Sequence, residues 1–328
     1  MRPLTLSVGI PTYNQAEFLE ETIESLLNQT YPPHEIVISD NFSTDRTPDI
    51  IRKYKGRLRG IKPPTALGLT SQINFTLTSQ TADWITILSS DDVARPRFCE
   101  VLARGAASRE DVVLVRAGWE NIDRTGTPVG LNYMLSVPKV EQPPRTLTSQ
   151  KYGPKASAAA FAMKRDAFLK SGPILESIES FTDWALFLQI APFGAFVYEH
   201  ELISAYRVWD TRDKFRNRID MWIRDHVRLF SEVIPLAARR LGMSDVGWIR
   251  KAARSNFRQM LVAASTEFGA AERAHLVPLF EPWAQMVGEQ ALLQRFVTGA
   301  VIVTPASIVS RAKAHVRPIA QRLMGKLR

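Results

Sequence analysis

The sequence predicts an α/β protein, with a mainly parallel sheet flanked by helices and a helical extension behind it. Three observations carry that expectation. Short, β-rich apolar runs at 4–10, 35–39, 84–88 and 112–117 are bounded by turn residues, as buried strands are. Between them, 15–29, 46–54, 68–79 and 95–107 have helical spacing, with Phe18, Ile23, Leu26 and Leu27 on one face. Strands and helices that alternate in this way form a sheet covered on both sides. From about 212 onward the pattern is helical with basic faces.

Taken in order, the strands deliver polar groups at their C-terminal ends. The first apolar run stops at Pro11-Thr12-Tyr13-Asn14, and the second at Asp40-Asn41-Phe42-Ser43-Thr44-Asp45. In open α/β sheets that edge is where ligands bind. Asp40 and Asn41 can accept from and donate to a base or ribose, and loop amides can approach phosphates. Asp45 before Arg46-Thr47-Pro48 suits a helix N-cap. The run from Trp84 ends in Asp91-Asp92. Two adjacent carboxylates there are costly unless paired, hydrogen-bonded or bound to a cation. A hard divalent metal is their natural partner, and capping of the segment ahead of Arg95-Pro96 is the plainer role. Residues 118–155 are polar and proline-rich, an excursion with a turn at Asp123-Arg124-Thr125-Gly126. Helical signals at 164–171 and 182–192 follow, then a short strand at 195–198, and Asp183 heads the second of these helices as N-cap or functional acid.

Composition narrows the classes. The chain has 328 residues, 45% of them hydrophobic and 23% charged, which is ordinary for a globular protein. Its single cysteine, Cys99, reads as a core thiol and excludes an internal disulfide. No Gly-x-Gly-x-x-Gly run supports a dinucleotide oxidoreductase. The net charge of +9 is uneven: residues 211–328 hold 20 Lys and Arg against 9 Asp and Glu, with no acid after Glu289. Ile308, Ala312, Val316, Ile319, Leu323 and Leu327 would form one stripe of a basic amphipathic helix, meeting an anionic membrane surface or the protein's own core. Nucleic acid is not expected, since no module for it is visible. Neither a signal peptide nor a membrane-spanning helix is expected; the uncharged stretch 296–310 is too short to span.

Several short motifs in order resemble the opening of the family 2 glycosyltransferases: Pro11-Thr12-Tyr13-Asn14, Leu27-Asn28-Gln29-Thr30, Asp40-Asn41 and Ser43-Thr44-Asp45. The resemblance covers roughly residues 4–210 and implies a GT-A fold and a nucleotide-diphosphate sugar donor. It implies that Pro11, Thr12, Tyr13, Asp40, Asn41 and Asp91 line the donor site. It also implies a divalent metal, Mg2+ or Mn2+, on Asp92 with Asp91 beside it, and Asp183 as the general base of an inverting transfer. Tyr206-Arg207-Val208-Trp209 stands where relatives often show Tyr-Arg-x-His, so Arg207 would reach a phosphate or form a salt bridge, and Trp209 would wall a sugar or join the core. Ser89 stands where many relatives carry an acid. The Gln-x-x-Arg-Trp signature of processive synthases is absent, which implies one sugar per encounter. The expected organisation is a catalytic domain over 1–211 and a basic helical extension over 212–328. The acceptor is expected to be a glycan or lipid-linked, and the place the cytoplasm, at the inner face of the cell membrane. The alternative reading is a weakly active or inactive relative that binds nucleotide sugar or glycan.

Overall fold

The structure is a computed structural model that describes residues 4–132, 137–154, 157–209 and 214–298. The chain divides into two compact units, Met1–Trp209 and Asp210–Arg328.

In the first unit, β1 (Leu6–Thr12), α1 (Leu19–Leu27), β2 (Glu35–Asp40), α2 (Thr47–Lys53), β3 (Arg59–Ile61), α3 (Leu69–Thr78) and β4 (Trp84–Ile87) realise the alternation read from the sequence. Next come β5 (Val93–Ala94), α4 (Phe98–Ala107), β6 (Val112–Ile122), β7 (Pro128–Asn132), β8 (Val140–Glu141) and α5 (Arg145–Thr148). The unit closes with β9 (Phe161–Lys164), α6 (Arg165–Ser171), α7 (Thr182–Ile190) and β10 (Ala195–Arg207). Among the described residues ten strands form one sheet, with the path β3-β2-β1-β4-β9-β6-β10-β5 and with β7 and β8 attached to β6 and β10.

The half built from β3, β2, β1 and β4 is parallel, and β1 and β4 are buried along almost their whole length. The other half is mixed: β9 runs antiparallel to both β4 and β6, and β10 lies parallel to β6. The departure from a mainly parallel sheet comes from the excursion, which returns as β9 and enters the sheet from the opposite direction. Its turn is where the sequence put it, closed by the Gly126 N–H donating to the Asp123 carbonyl (3.1 Å). β10 runs well past 198 because its register shifts between Glu199 and Leu202, which breaks the alternation that would mark a longer strand.

The core lies between sheet and helices. Leu19, Ile23 and Leu26 of α1 and Phe98, Val101 and Leu102 of α4 meet Val8, Ile10, Ile38 and Val115 from the strands. Cys99 belongs to this core, and burial pushes its thiol up to about 12, so it is the inert packed sulfur that the sequence implied.

The second unit contains α8 (Lys214–Arg228), a π-helical turn over Leu229–Val233, α9 (Ile234–Arg240), α10 (Gly247–Glu267), α11 (Ala270–Val287) and α12 (Gln290–Val297). Its centre is aromatic: Trp283 packs on Phe257, Phe280 and His226, and Phe280 on Phe296. Among the described residues no helix is long and apolar enough to cross a membrane. The basic stripe expected at 306–328 lies outside the described residues.

Candidate active site

The loops after β1 and β2 are stitched together by the motif residues themselves. Asn14 N–H donates to Ser43 Oγ (2.9 Å), and Thr44 N–H donates back to Asn14 Oδ1 (2.8 Å). Asp45 accepts from Ala16 N–H (2.9 Å) and from Thr47 N–H (2.9 Å), so the expected cap also ties the two loops. Burial raises the Asp45 carboxyl, but the hydrogen bonds from Thr47 and Ala16 outweigh it and hold the group below the usual range. Asn14 and Phe42 sit in the left-handed region, at φ 51° and 63°. For an aromatic residue that conformation is strained and persists only where its surroundings dictate it.

The expected donor residues fall into two groups. Tyr13 is 55% exposed, whereas Asp40 is 8% exposed, with its Oδ1 accepting from Ser43 N–H (3.1 Å). Tyr13 can meet a ligand. Thr12 is buried, and its carbonyl accepts from Asn41 N–H (2.9 Å); Pro11 belongs to β1 and pairs with Ser39. Asn41 turns toward the neighbouring loop. Its amide donates to the Leu67 carbonyl (2.8 Å) and its oxygen accepts from Leu67 N–H (2.9 Å), so the side chain fixes the 62–68 loop rather than facing a base.

Of the two roles expected of Arg207, a phosphate contact or a salt bridge, the structure shows the salt bridge. Its side chain is buried against the Phe18 ring. Nε donates to the Asp91 carbonyl (2.8 Å), Nη1 to the Asp123 and Arg124 carbonyls (3.1 and 2.9 Å), and Nη2 to Glu21 (2.6 Å). With its fork occupied it joins α1, the 89–92 loop and the β6–β7 turn, and no phosphate can reach it.

The two aspartates differ in burial. Asp92 is 0% exposed, its Oδ1 accepts from Arg207 N–H (2.8 Å), and its Oδ2 is enclosed without a hydrogen-bond partner. Burial and the neighbouring Asp91 carboxylate push it well above the usual range, and the bonds from Arg207 and Ser89 only partly offset this. Asp92, the expected metal ligand, is thus enclosed in this structure and holds the Arg207 backbone. Asp91 is the accessible carboxylate, and its Oδ2 accepts from the indole N–H of Trp209 (2.8 Å). Trp209 itself is 43% exposed, edge-on to Phe18 and beneath the Arg124 guanidinium. It is neither core nor a bare wall. The two residues lie 118 positions apart, so nothing in the sequence signals this bond.

These residues do not fit a protein-held divalent cation. Ser89 is not acidic, Asp92 is enclosed, and Trp209 has only a donor to offer. Among the described residues no three His, Cys, Asp or Glu side chains gather into a metal-binding group. One carboxylate, Asp91, remains.

The segment that leads to Asp183 packs along α3. Gln72, in the first turn of α3, donates to the carbonyls of Thr12 (2.9 Å) and Ser39 (3.1 Å) at the ends of β1 and β2. The chain before α7 then climbs α3: Ile174 exchanges two hydrogen bonds with Asn74 (2.8 and 2.9 Å), and four residues later the Ile178 carbonyl accepts from Thr70, nearer the edge. Asp183 lies five residues beyond Ile178, in the first turn of α7. Partly buried, its carboxyl is pushed up to about 6 by loss of solvation, although the Trp184 N–H (2.7 Å) and Ala158 N–H donate to it.

The profile of the family described as Glycosyl transferase family 2 matches residues 7–172. A poly(ribitol-phosphate) β-N-acetylglucosaminyltransferase, TarP of Staphylococcus aureus, is 34% identical over 126 residues, 37% of this chain and 38% of that one. A glycosyltransferase of Streptococcus pneumoniae, GlyG, is 30% identical over 113 residues, 33% of this chain and 38% of that one. The matches thus span well under half of these relatives. S. aureus TarS in complex with UDP-GlcNAc shares the fold with a TM-score of 0.62 at 16% identity, covering 91% of this chain and 88% of that one. A Pyrobaculum calidifontis mannosyltransferase in complex with GDP-Man and Mn2+ gives 0.50 at 18% identity, covering 90% and 86%. Because the profile spans just over half of its length, this chain belongs to glycosyl transferase family 2.

Proposed function

We propose that the chain transfers one sugar from a nucleoside-diphosphate sugar to an acceptor hydroxyl with inversion, Asp183 acting as general base. The observation that supports the reading is the Asp183 carboxyl, raised to about 6 in the first turn of α7, in a chain that belongs to glycosyl transferase family 2. An acceptor hydroxyl becomes an adequate nucleophile when a carboxylate takes its proton as it attacks. A carboxyl of this pKa is deprotonated at neutral pH yet more basic than an exposed one. The oxygen bonds to the anomeric carbon, the proton passes to Asp183, and the bond to the nucleoside diphosphate breaks on the opposite face. One displacement of this kind inverts the centre.

On this reading Tyr13 and Asp40 contact the nucleoside, Thr12 and Asn41 shape its loop, and residues 1–211 are the catalytic domain. The names of the relatives support a UDP-linked donor and a surface-glycan or lipid-linked acceptor. The basic extension over 212–328 would then bring the enzyme to the anionic inner face of a membrane, as a peripheral cytoplasmic protein.

Donor hydrolysis and transfer by Asp183→Asn test the proposal. The variant should bind donor normally and turn over at least about 10²-fold more slowly. Near-normal turnover would reject Asp183 as base, and product of retained configuration by NMR would reject the single displacement.

A further inference from the structure

We propose that this chain binds its nucleoside diphosphate without a protein-held divalent cation, the Trp209 indole N–H engaging Asp91 and the Arg124 guanidinium meeting the diphosphate. The inference rests on the donor-site reading above.

The argument begins at Asp91. An accessible carboxylate beside a bound diphosphate is repulsive unless something positive stands between them. The obvious agent is a metal, but the donor set beside Asp91 is an enclosed Asp92, a serine at 89 and an indole at 209. An indole nitrogen has no lone pair for a cation. What it does have is a donor, and that donor points at Asp91 Oδ2 from 2.8 Å. A hydrogen bond to an ionised acceptor is among the stronger kinds, so Trp209 performs on Asp91 part of the neutralisation a cation would have supplied.

Arg124 supplies the charge. It lies over the Trp209 ring, 5.7 Å from guanidinium carbon to centroid, and is 65% exposed. Its backbone is fixed, because Arg207 holds the carbonyls of Asp123 and Arg124 from beneath. Among the described residues its Nε and Nη2 donate to the Glu17 carboxylate (3.0 and 2.6 Å), itself 53% exposed. Exposed pairs of this sort contribute about 0–1 kcal/mol, so the guanidinium can leave Glu17 for a diphosphate at little cost. A planar fork stacked on an aromatic face suits two phosphate oxygens.

The test is calorimetric titration of the full chain with uridine, guanosine and thymidine diphosphates, in EDTA and again in Mn2+. The expected result is binding of one nucleotide with affinity in EDTA within about twofold of that in Mn2+. Arg124→Gln should weaken that binding about tenfold in both buffers, the scale of one lost charge-assisted hydrogen bond. Trp209→His, which offers a ring nitrogen with a lone pair, should bind at least about fivefold more tightly in Mn2+ than in EDTA. Thermal melts confirm that each variant is folded, and the wild-type comparison depends on neither. Binding by the wild type only in Mn2+ overturns the inference and leaves the donor site intact. Binding of no nucleotide in either buffer overturns the donor-site reading, and the inference with it.

Discussion

The strand-end loops of the first unit and the helical core of the second solve opposite problems. In the first, polar groups are buried or strained so that a few others stay accessible: Arg207 is enclosed to join three segments, and Asp92 to hold the Arg207 backbone, while Asp91 faces outward. In the second, aromatic rings stack on one another, and the buried imidazole of His226 is anchored by its Nδ1 to the Trp222 carbonyl (2.7 Å). One region spends polar groups on geometry, the other apolar area on stability. Substitutions in the two should therefore fail differently.

The largest effects test that contrast directly. Trp283→Ala removes the ring around which the second unit packs and should cost that unit about 4 kcal/mol in denaturant unfolding. Nucleotide binding should survive under conditions where the protein remains folded. Arg207→Met leaves Glu21 and three carbonyls without their shared donor and should cost about 3 kcal/mol. Here nucleotide affinity should fall too, because the Asp91 loop and the Arg124 turn lose their common anchor. If Arg207→Met lowers stability with affinity unchanged, the guanidinium is a staple of the core alone.

Asp183→Asn comes next, at about 2.7 kcal/mol on the barrier for a 10²-fold loss. In the wild type, transfer should rise with pH through an apparent pKa near 6, since the protonated carboxyl cannot accept a proton. The variant should lack that limb. A limb of the same midpoint in the Asn variant would assign the titration to another group.

How much of this could be read from the chain depends on where the information lies. Strands, helices and the polar strand ends follow from hydrophobic period and turn chemistry, which are local, so β1, β2, β4 and α7 stood out. Asp40, Asp91 and Asp183 stand out in the sequence because an acid at either end of an apolar run is unusual wherever it sits. What was not legible is which way neighbouring side chains turn. Asp91 and Asp92 are adjacent in sequence, yet the turn between β4 and β5 and the arrival of β10 bury one and leave the other partly exposed. Arg207 matched a motif, but its partners lie 83 to 186 positions away. β9 was missed because Phe161–Lys164 is too short to show a period.

The smallest effect belongs to the second unit and shows its preference for apolar contacts over polar function. His226 is buried beside Trp283 and Phe230, and loss of solvation lowers its pKa to about 4, against which its bond to the Trp222 carbonyl works only weakly. In the folded state the ring is therefore neutral down to about pH 4, whereas in the unfolded chain it takes a proton near 6.5. Between those values the unfolded state binds the extra proton, so stability is full above about 6.5 and declines as pH falls toward 4. At pH 5.5 the loss from this one group should be about 1 kcal/mol. His226→Leu keeps an apolar side chain against Trp283 and has nothing to titrate. Its unfolding free energy, followed by tryptophan fluorescence in urea, should start lower at pH 7.5 and then fall less steeply than the wild type between pH 6.5 and 5. Parallel slopes for the two proteins in that window would show that the imidazole is protonated in place, and that the aromatic core tolerates a charge.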